Sequence, residues 1–223
     1  MDDVIMTRQR LVLVRTDTKK QPPWVVSFDP GKKGGGCILA SDRTLIHMIS
    51  WSRLDRKSGT VWSAAGVEAP TLAALLDQVF HPGFNQLPRL ATVERSVEFT
   101  HSQKDRAHGE VLMENSGYLC CWLDMRLPSP KAIHRPRATA WRHQVLALPS
   151  ETRDTLCSAA ALAALSDSAV PGASHTVSWG VNASEGQRRS ITEHSAEAIG
   201  QALYVQGWGV VPDPTTTNTR SQS

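Results

Sequence analysis

The first half of the chain alternates short apolar runs with turn residues, which is the pattern of a strand meander. Residues 24–28 form an apolar, β-branched run, and a Gly-rich turn separates it from a second run at residues 36–40. Residues 45–51 make a third candidate strand. The connections are short enough for consecutive strands to pair with one another. The pattern therefore predicts three antiparallel strands near the start of the folded domain.

Helical periodicity begins after Pro70, which stands where a helix can start. The apolar residues that follow share one helix face, namely Leu72, Leu75, Leu76, Val79 and Phe80. Further along, the pattern predicts a buried strand at residues 90–93, a helix at 110–125, a short strand at 132–134 and a helix at 152–165. This order of elements predicts an α/β fold, in which a mixed sheet of three antiparallel and then parallel strands is flanked by helices.

The clearest helix is the last one, predicted at residues 190–206. Ser190 and Glu193 have the spacing of a capping box. One face of this helix is apolar or small, and it comprises Ile191, Ser195, Ala198, Ile199, Ala202 and Leu203. Its small residues would let the helix lie close against a neighbouring element.

The two ends of the chain differ from the middle. Residues 1–22 are polar and basic, and we expect a mobile arm there, with room for one extra strand around residues 11–14. Residues 210–223 are rich in Thr, Ser, Asn and Pro and are expected to be disordered. A single folded domain is therefore predicted at residues 23–209.

Composition narrows the function classes only a little. The chain has 223 residues, of which 40% are hydrophobic and 20% charged, as in a soluble globular protein. A net charge of +3 and a pI near 8.8 are compatible with nucleic-acid binding without requiring it. The four cysteines form no CxxC pair, and neither an export signal nor an apolar stretch of membrane-spanning length is found. These features predict a cytoplasmic protein with reduced thiols and no membrane association.

Four residues are candidates for chemistry because of where they stand in the predicted elements. Asp29 directly follows the first buried run and precedes a Pro-Gly turn, and Glu94 ends the run at 90–93. Taken singly, each is better explained as a turn or surface residue than as a functional one. His194 and Glu197 lie three residues apart and so share a face of the last helix. Their order along the chain is more informative than any one of them.

That order resembles the RuvC branch of the ribonuclease H-like superfamily, which includes Holliday-junction resolvases. The resemblance rests on residues 28–31 with the glycines at 34–36, on residues 93–94 and on residues 194–198. It spans roughly residues 24–206. Two departures are the glutamate at 197, where aspartate is commoner, and the long segment 170–189. The extended ends and divergent motifs suggest a phage-type member.

The resemblance implies a ribonuclease H-like nuclease domain at residues 23–209 that cleaves four-way (Holliday) or branched DNA junctions. Two Mg²⁺ ions per active site would assist phosphodiester hydrolysis, and Mn²⁺ would substitute for them. Asp29 would bridge both ions, while Glu94 and Glu197 would hold one each. His194 would either ligate a metal or position water and substrate.

Further expectations concern the substrate and the assembly. Phe99 is the candidate for an aromatic that wedges into the junction centre, or else it anchors its own loop. Two symmetric incisions would require a homodimer, with the helix at residues 117–125 as the interface. Candidate phosphate contacts, at least half of which could be ordinary solvated charges, are Lys32, Lys33, Arg95, Lys104, Arg106, Arg135, Arg137 and Arg142.

Three other functions compete with this interpretation. A ribonuclease H-like nuclease with another substrate and a non-catalytic module that binds branched DNA both remain open. An actin-like kinase or ATPase also begins with a strand-end aspartate, but it needs two such domains and more residues than this chain has. The location expected for a junction resolvase is the cytoplasm of a bacterial or phage-infected cell.

Overall fold

A computed structural model describes the protein at residues 11–16, 22–41, 43, 45–53, 61–63, 68–80, 90–95, 103–146, 178–180, 188–190 and 193–212. The strands are β1 Leu11–Arg15, β2 Val25–Asp29, β3 Lys33–Leu39, β4 Leu45–Arg53, β5 Val61–Ser63, β6 Glu68–Ala69, β7 Leu90–Val93, β8 Ile133–His134, β9 Ser178–Gly180, β10 Arg188–Ser190 and β11 Trp208–Pro212. The helices are α1 Leu72–Phe80, α2 Gln103–Asp124, α3 Ala138–Leu146 and α4 Glu193–Val205. The helix predicted at 152–165 lies outside these ranges, as does Phe99.

The main sheet has seven strands in the order β6-β5-β4-β3-β2-β7-β8. Consecutive strands β2, β3 and β4 pair antiparallel, whereas β7 joins β2 in parallel and β8 joins β7 in parallel. This confirms the predicted fold class: an α/β fold whose mixed sheet has antiparallel strands followed by parallel ones. The pairing also makes β2 an interior strand, with β3 on one side and β7 on the other. Its last residue, Asp29, therefore lies among the strand ends and not at the border of the sheet.

Helices cover both faces of this sheet, because the side chains of β2 alternate between two cores. Val26 and Phe28 belong to one core, which includes Leu75 of α1 and Leu119 of α2. Val25 faces the other core, whose helical members come from α3 and α4 and include Trp141, Ala198, Ile199 and Ala202. The helix predicted to carry His194 and Glu197 therefore packs directly on the sheet.

Two predicted helix starts differ from the structure. α2 already begins at Gln103, ahead of the predicted start at 110. α4 begins at Glu193, and Ser190 instead ends strand β10, where it pairs with Ser178 of β9. The predicted capping box of Ser190 and Glu193 is therefore wrong, because strand pairing takes up the backbone of Ser190. Among the described elements, the sequence pattern also failed to predict α3 and the strands β5, β6, β9, β10 and β11.

Strands from near the two ends of the chain pair with each other. β1 is antiparallel to β11, with Leu11 opposite Pro212 and Arg15 opposite Trp208. The sequence predicts a mobile arm that includes residues 11–15 and a disordered tail that includes residues 210–212. In the structure both segments instead belong to strands whose backbones pair with each other. The extra strand foreseen around residues 11–14 corresponds to β1. No helix in the described part of the chain combines the length and the apolar character needed to cross a membrane.

Candidate active site

The end of β2 and the start of α4 meet at a glycine of β3. Gly35 pairs with Asp29 across the sheet. A Cβ atom at Gly35 would lie 2.4 Å from the backbone carbon of His194 and from the nitrogen of Ser195. Such an approach is possible only without a side chain. Gly35 therefore lets the first turn of α4 reach the strand end that carries Asp29.

Asp29, His194 and Glu197 form a cluster at this contact. One ligand atom from each residue can be chosen so that all three lie within 4.8 Å of one another. Nδ1 of His194 is 2.7 Å from Oδ2 of Asp29. The side chains of Asp29 and Glu197 retain only 8% and 9% of their exposure. The predicted i, i+3 spacing thus places two α4 residues beside the strand-end aspartate.

Glu94 is next to this cluster but is held by different partners. It directly follows β7, which runs parallel to β2, and its backbone N–H donates to the carbonyl of Phe28 at 3.3 Å. Its Oε2 accepts hydrogen bonds from Nε1 of Trp141 at 2.8 Å and from Nε2 of Gln201 at 3.4 Å. Its side chain is therefore fixed by α3 and α4 at the edge of the cluster.

The charge balance around Glu197 is strongly negative. The pKa of this carboxyl is raised to about 8, chiefly by burial and also by the negative charges of Asp29 and Glu94. Arg142 of α3 acts in the opposite direction, because its guanidinium forms an ion pair with Glu197. Among the described residues, one guanidinium thus lowers the pKa of Glu197 while two carboxylates raise it, so a further positive charge at the site would favour the ionised form.

A divalent metal ion fits this donor set. Hard cations such as Mg²⁺ prefer carboxylate oxygens, and imidazole nitrogen is a ligand for several divalent metals. The carboxylates of Asp29 and Glu197 and the imidazole of His194 are close enough to share one ion. The turn after Asp29 is also braced, because Nδ2 of the buried Asn115 donates to the carbonyl of Gly31 at 3.0 Å. The site is therefore supported from both faces of the sheet.

Several basic residues lie near the same strand ends. Lys32 is exposed in the turn that follows Asp29, and Lys33 is exposed at the first position of β3. Arg95, which follows Glu94, is exposed and forms a parallel bridge with Arg137, also exposed. These four positions leave their charges accessible to a phosphate backbone.

The other predicted DNA contacts differ from these four. Arg135 donates to the carbonyl of Val93 at 3.1 Å and to Oγ of Ser116 at 2.6 Å, and Arg142 pairs with Glu197. Both guanidinium groups therefore have structural partners within the protein. Lys104 and Arg106 belong to α2, but their side chains are outside what the structure describes, and Phe99 lies outside altogether.

Three residues that contact the site were missed by the sequence analysis as functional positions: Asn115, Trp141 and Gln201. All three are buried. Trp141 lies in the segment 136–141 that follows β8, and nothing local marks it as different from a core tryptophan. Gln201 is one residue from the apolar stripe of α4. A polar amide at the border of that stripe is the sequence feature that could have marked this position.

Comparison with known proteins gives no family assignment: no protein-family model matches the chain. A curated relative, adenosine 5'-phosphosulfate reductase of Bacillus mycoides (strain KBAB4), is 24% identical over 153 residues. The match takes in 58% of this chain and 64% of the length of that protein, so the chain spans less than two thirds of its relative.

Two solved structures resemble the fold. One is T. thermophilus RuvC in complex with a Holliday junction substrate, with a TM-score of 0.41 and 11% identity over 85% of this chain and 99% of that one. The other is a Thermus thermophilus RuvC structure, with a TM-score of 0.40 and 12% identity over 84% and 99%. Likeness at this level does not assign roles to individual residues.

Proposed function

We propose that this protein is a metal-dependent endonuclease that cleaves four-way (Holliday) or branched DNA junctions. The observation that carries the proposal is the meeting of Asp29, His194 and Glu197 at the end of the central strand, with Glu94 on the adjacent parallel strand. Asp29 and His194 are 165 positions apart in the sequence, so the fold is what brings them together. Buried carboxylates that repel one another oppose folding, and a bound cation would offset that cost.

In this proposal Asp29 and Glu197 hold Mg²⁺ through carboxylate oxygens, and His194 is either a third ligand or a contact to water and phosphate. Glu94 is the third acidic group of a centre with two ions per active site, in which Mn²⁺ can replace Mg²⁺. The metal would supply a Lewis acid for phosphodiester hydrolysis. The chain itself keeps the carboxylates in place, and their burial keeps bulk water away from them.

The exposed lysines and arginines beside the site are the proposed contacts to the DNA backbone. Lys32 and Lys33 follow Asp29 closely in the sequence, and Arg95 directly follows Glu94. A phosphate near the carboxylates would therefore also lie near cations. Phosphate contacts of this kind give affinity that is independent of base sequence and sensitive to salt. Junction selectivity would then depend on the shape of the DNA, with Phe99 as the proposed wedge.

A homodimer is part of the same proposal. Large apolar side chains are exposed on α2, at Met113 (47%) and Tyr118 (54%), and directly after it, at Met125 (74%). Gly117 lies between them, and a Cβ atom there would meet nothing within 4 Å. We propose that two copies pack along this face, because a two-fold dimer would present two equivalent sites to a symmetric four-way junction.

A nuclease with the same fold but another substrate is the second candidate. The proposed metal-binding cluster and the basic residues near the strand ends would serve the hydrolysis of any phosphodiester. A non-catalytic binding module is less consistent with the cluster, since three carboxylates repel DNA in the absence of a cation. A DNA junction as substrate also implies a cytoplasmic location.

The deciding experiment compares a synthetic four-way junction, a linear duplex and an RNA–DNA hybrid, each with and without Mg²⁺. We expect paired incisions in the junction that require the metal. Asp29→Asn should remove cleavage while leaving junction binding within a few-fold, because an amide cannot replace the charge of a carboxylate ligand. Preferred cleavage of the hybrid would support the second candidate, and binding without cleavage in Mg²⁺ or Mn²⁺ would support the non-catalytic module.

A further inference from the structure

The carboxylate of Glu94 is fixed by two buried donors that belong to different helices. Nε1 of Trp141, on α3, lies 2.8 Å from Oε2 of Glu94, and Nε2 of Gln201, on α4, lies 3.4 Å from the same oxygen. Trp141 and Gln201 are both fully buried. Neither donor can therefore turn to solvent in place of Glu94.

Burial makes these contacts informative. A buried indole N–H or amide N–H that loses its acceptor is left without a hydrogen bond, at a cost of about 1–3 kcal/mol. The amide oxygen of Gln201 lies 3.5 Å from Oγ1 of Thr92, a buried residue of β7. The Gln201 amide thus contacts both β7, the strand that leads to Glu94, and the carboxylate of Glu94 itself.

The position of Trp141 depends on a second glycine. A Cβ atom at Gly200 would lie 2.5 Å from Cζ3 of the Trp141 ring. The indole therefore lies directly against the backbone of α4, the helix that also carries His194 and Glu197. Through this contact the orientation of Glu94 is coupled to the placement of the other cluster residues.

We propose that Trp141 and Gln201 are positioning residues whose N–H groups hold the Glu94 carboxylate beside the Asp29–His194–Glu197 cluster in readiness for a divalent cation. The inference rests on the proposed function and deepens it by naming what orients the third acidic group, Glu94. Partners that orient the ligands of a metal commonly change its affinity by about 10–100-fold when they are removed.

The test is the affinity of the full-length protein for Mn²⁺, measured by titration calorimetry, together with the melting temperature of the metal-free protein. Trp141→Phe keeps an aromatic side chain at this position and removes the N–H donor together with one ring of the indole, a loss of volume that the Trp122→Phe control shares. We expect it to weaken Mn²⁺ binding about tenfold. Gln201→Met, which removes the longer hydrogen bond, should weaken binding by a smaller factor.

Trp122→Phe is the matched control. Nε1 of Trp122 donates to Oδ1 of Asp77 at 2.7 Å, which is the same kind of bond at a similar distance, and Asp77 is not in the cluster. Both Trp→Phe changes should lower the melting temperature, but only Trp141→Phe should weaken Mn²⁺ binding. A double-mutant cycle adds specificity, because Trp141→Phe should have no further effect on affinity when Glu94 is already alanine.

The outcomes separate this inference from the proposed function. If the wild-type protein binds Mn²⁺ and both Trp141→Phe and Gln201→Met bind it equally well, the positioning role is overturned and the metal site stands. An equal loss of affinity in the Trp122→Phe control would also overturn it, since the effect would then be general to the core. If the wild-type protein binds no Mn²⁺, the metal site and this inference both fail. Should Trp141→Phe not fold, Gln201→Met and its cycle with Glu94→Ala decide the question.

Discussion

The guanidinium of Arg142 is ion-paired with the carboxylate of Glu197, although burial and the charges of Asp29 and Glu94 raise the pKa of that carboxyl to about 8. A single arginine thus offsets only part of the repulsion among three acidic groups. Near neutral pH the metal-free site gains by keeping a proton on Glu197. Because proton and metal ion compete for the same carboxylate, the state of this residue links pH, metal binding and stability.

The first prediction concerns the stability of the metal-free protein. A carboxyl whose folded-state pKa lies above its unfolded value holds its proton longer in the native state. Its contribution to stability is therefore complete below about pH 4.5 and is lost as pH rises towards 8. We expect the melting temperature of the wild-type protein in a metal chelator to fall between pH 5 and 8, and Glu197→Gln to reduce this fall.

The comparison should be made at several pH values, because other groups also titrate. The informative quantity is the difference in melting temperature between wild type and Glu197→Gln, which should shift in favour of the variant as the pH rises. A difference that stays constant from pH 5 to 9 would contradict the raised pKa. Added Mn²⁺ should stabilise the wild-type protein more at pH 8 than at pH 6.

The second prediction concerns Gly35. A methyl group at this position would lie 2.4 Å from the backbone of α4, which cannot move aside without displacing His194. We expect Gly35→Ala to weaken Mn²⁺ binding strongly and to destabilise the protein by about 1–3 kcal/mol, as overpacking does elsewhere. Calorimetry and thermal unfolding measure the two effects. Lys33→Ala, at an exposed position of the same strand, is the control and should change stability by no more than about 0.5 kcal/mol.

A third prediction tests the proposed dimer. Gly117 is exposed on α2 with open space around its Cα, so Gly117→Arg should leave the monomer fold intact. Arginine also favours a helix over glycine, by about 0.8–1 kcal/mol. We expect light scattering to show a dimer for the wild type and a monomer for Gly117→Arg. Gln78→Arg, which adds the same charge on the exposed side of α1, should remain dimeric; a wild-type monomer would remove the dimer proposal.

The fourth prediction concerns DNA binding. If Lys32 and Lys33 contact phosphates, replacing either by alanine should weaken binding to all DNA of one shape alike. The slope of log affinity against log salt concentration should fall by about 1 for each lysine that is removed. Lys131, exposed in the short 3₁₀ turn before β8, provides the control. An unchanged slope for both Lys32→Ala and Lys33→Ala would show that these two charges are solvated and do not contact phosphate.

Sequence reasoning found the four acidic and imidazole residues because their signals are local. Asp29 and Glu94 each end a buried run of residues, and the spacing of His194 and Glu197 places them on one helix face. The order of strands also followed from short connections in the first half of the chain. The structure brings three of these residues within reach of one metal ion and places Glu94 beside them.

What the sequence did not reveal depends on contacts between distant segments. Trp141 has no local feature that distinguishes it from a core tryptophan, and its N–H points to Glu94 only because α3 packs on α4. The prediction that Ser190 caps the last helix failed for a similar reason, since its pairing with β9 outweighs a local capping pattern. Likewise, the pairing of β1 with β11 joins residues that no short window contains.

The wide separation of the cluster residues has a consequence for protein synthesis. Asp29 and Glu94 are synthesised early, whereas His194 and Glu197 follow much later on α4. His194 comes 165 positions after Asp29. A nascent or prematurely terminated chain therefore carries half of the acidic and imidazole groups and lacks the helix that completes the cluster. Incomplete chains would hold no assembled metal centre, so a nuclease built in this way would not damage DNA before its own translation has reached α4.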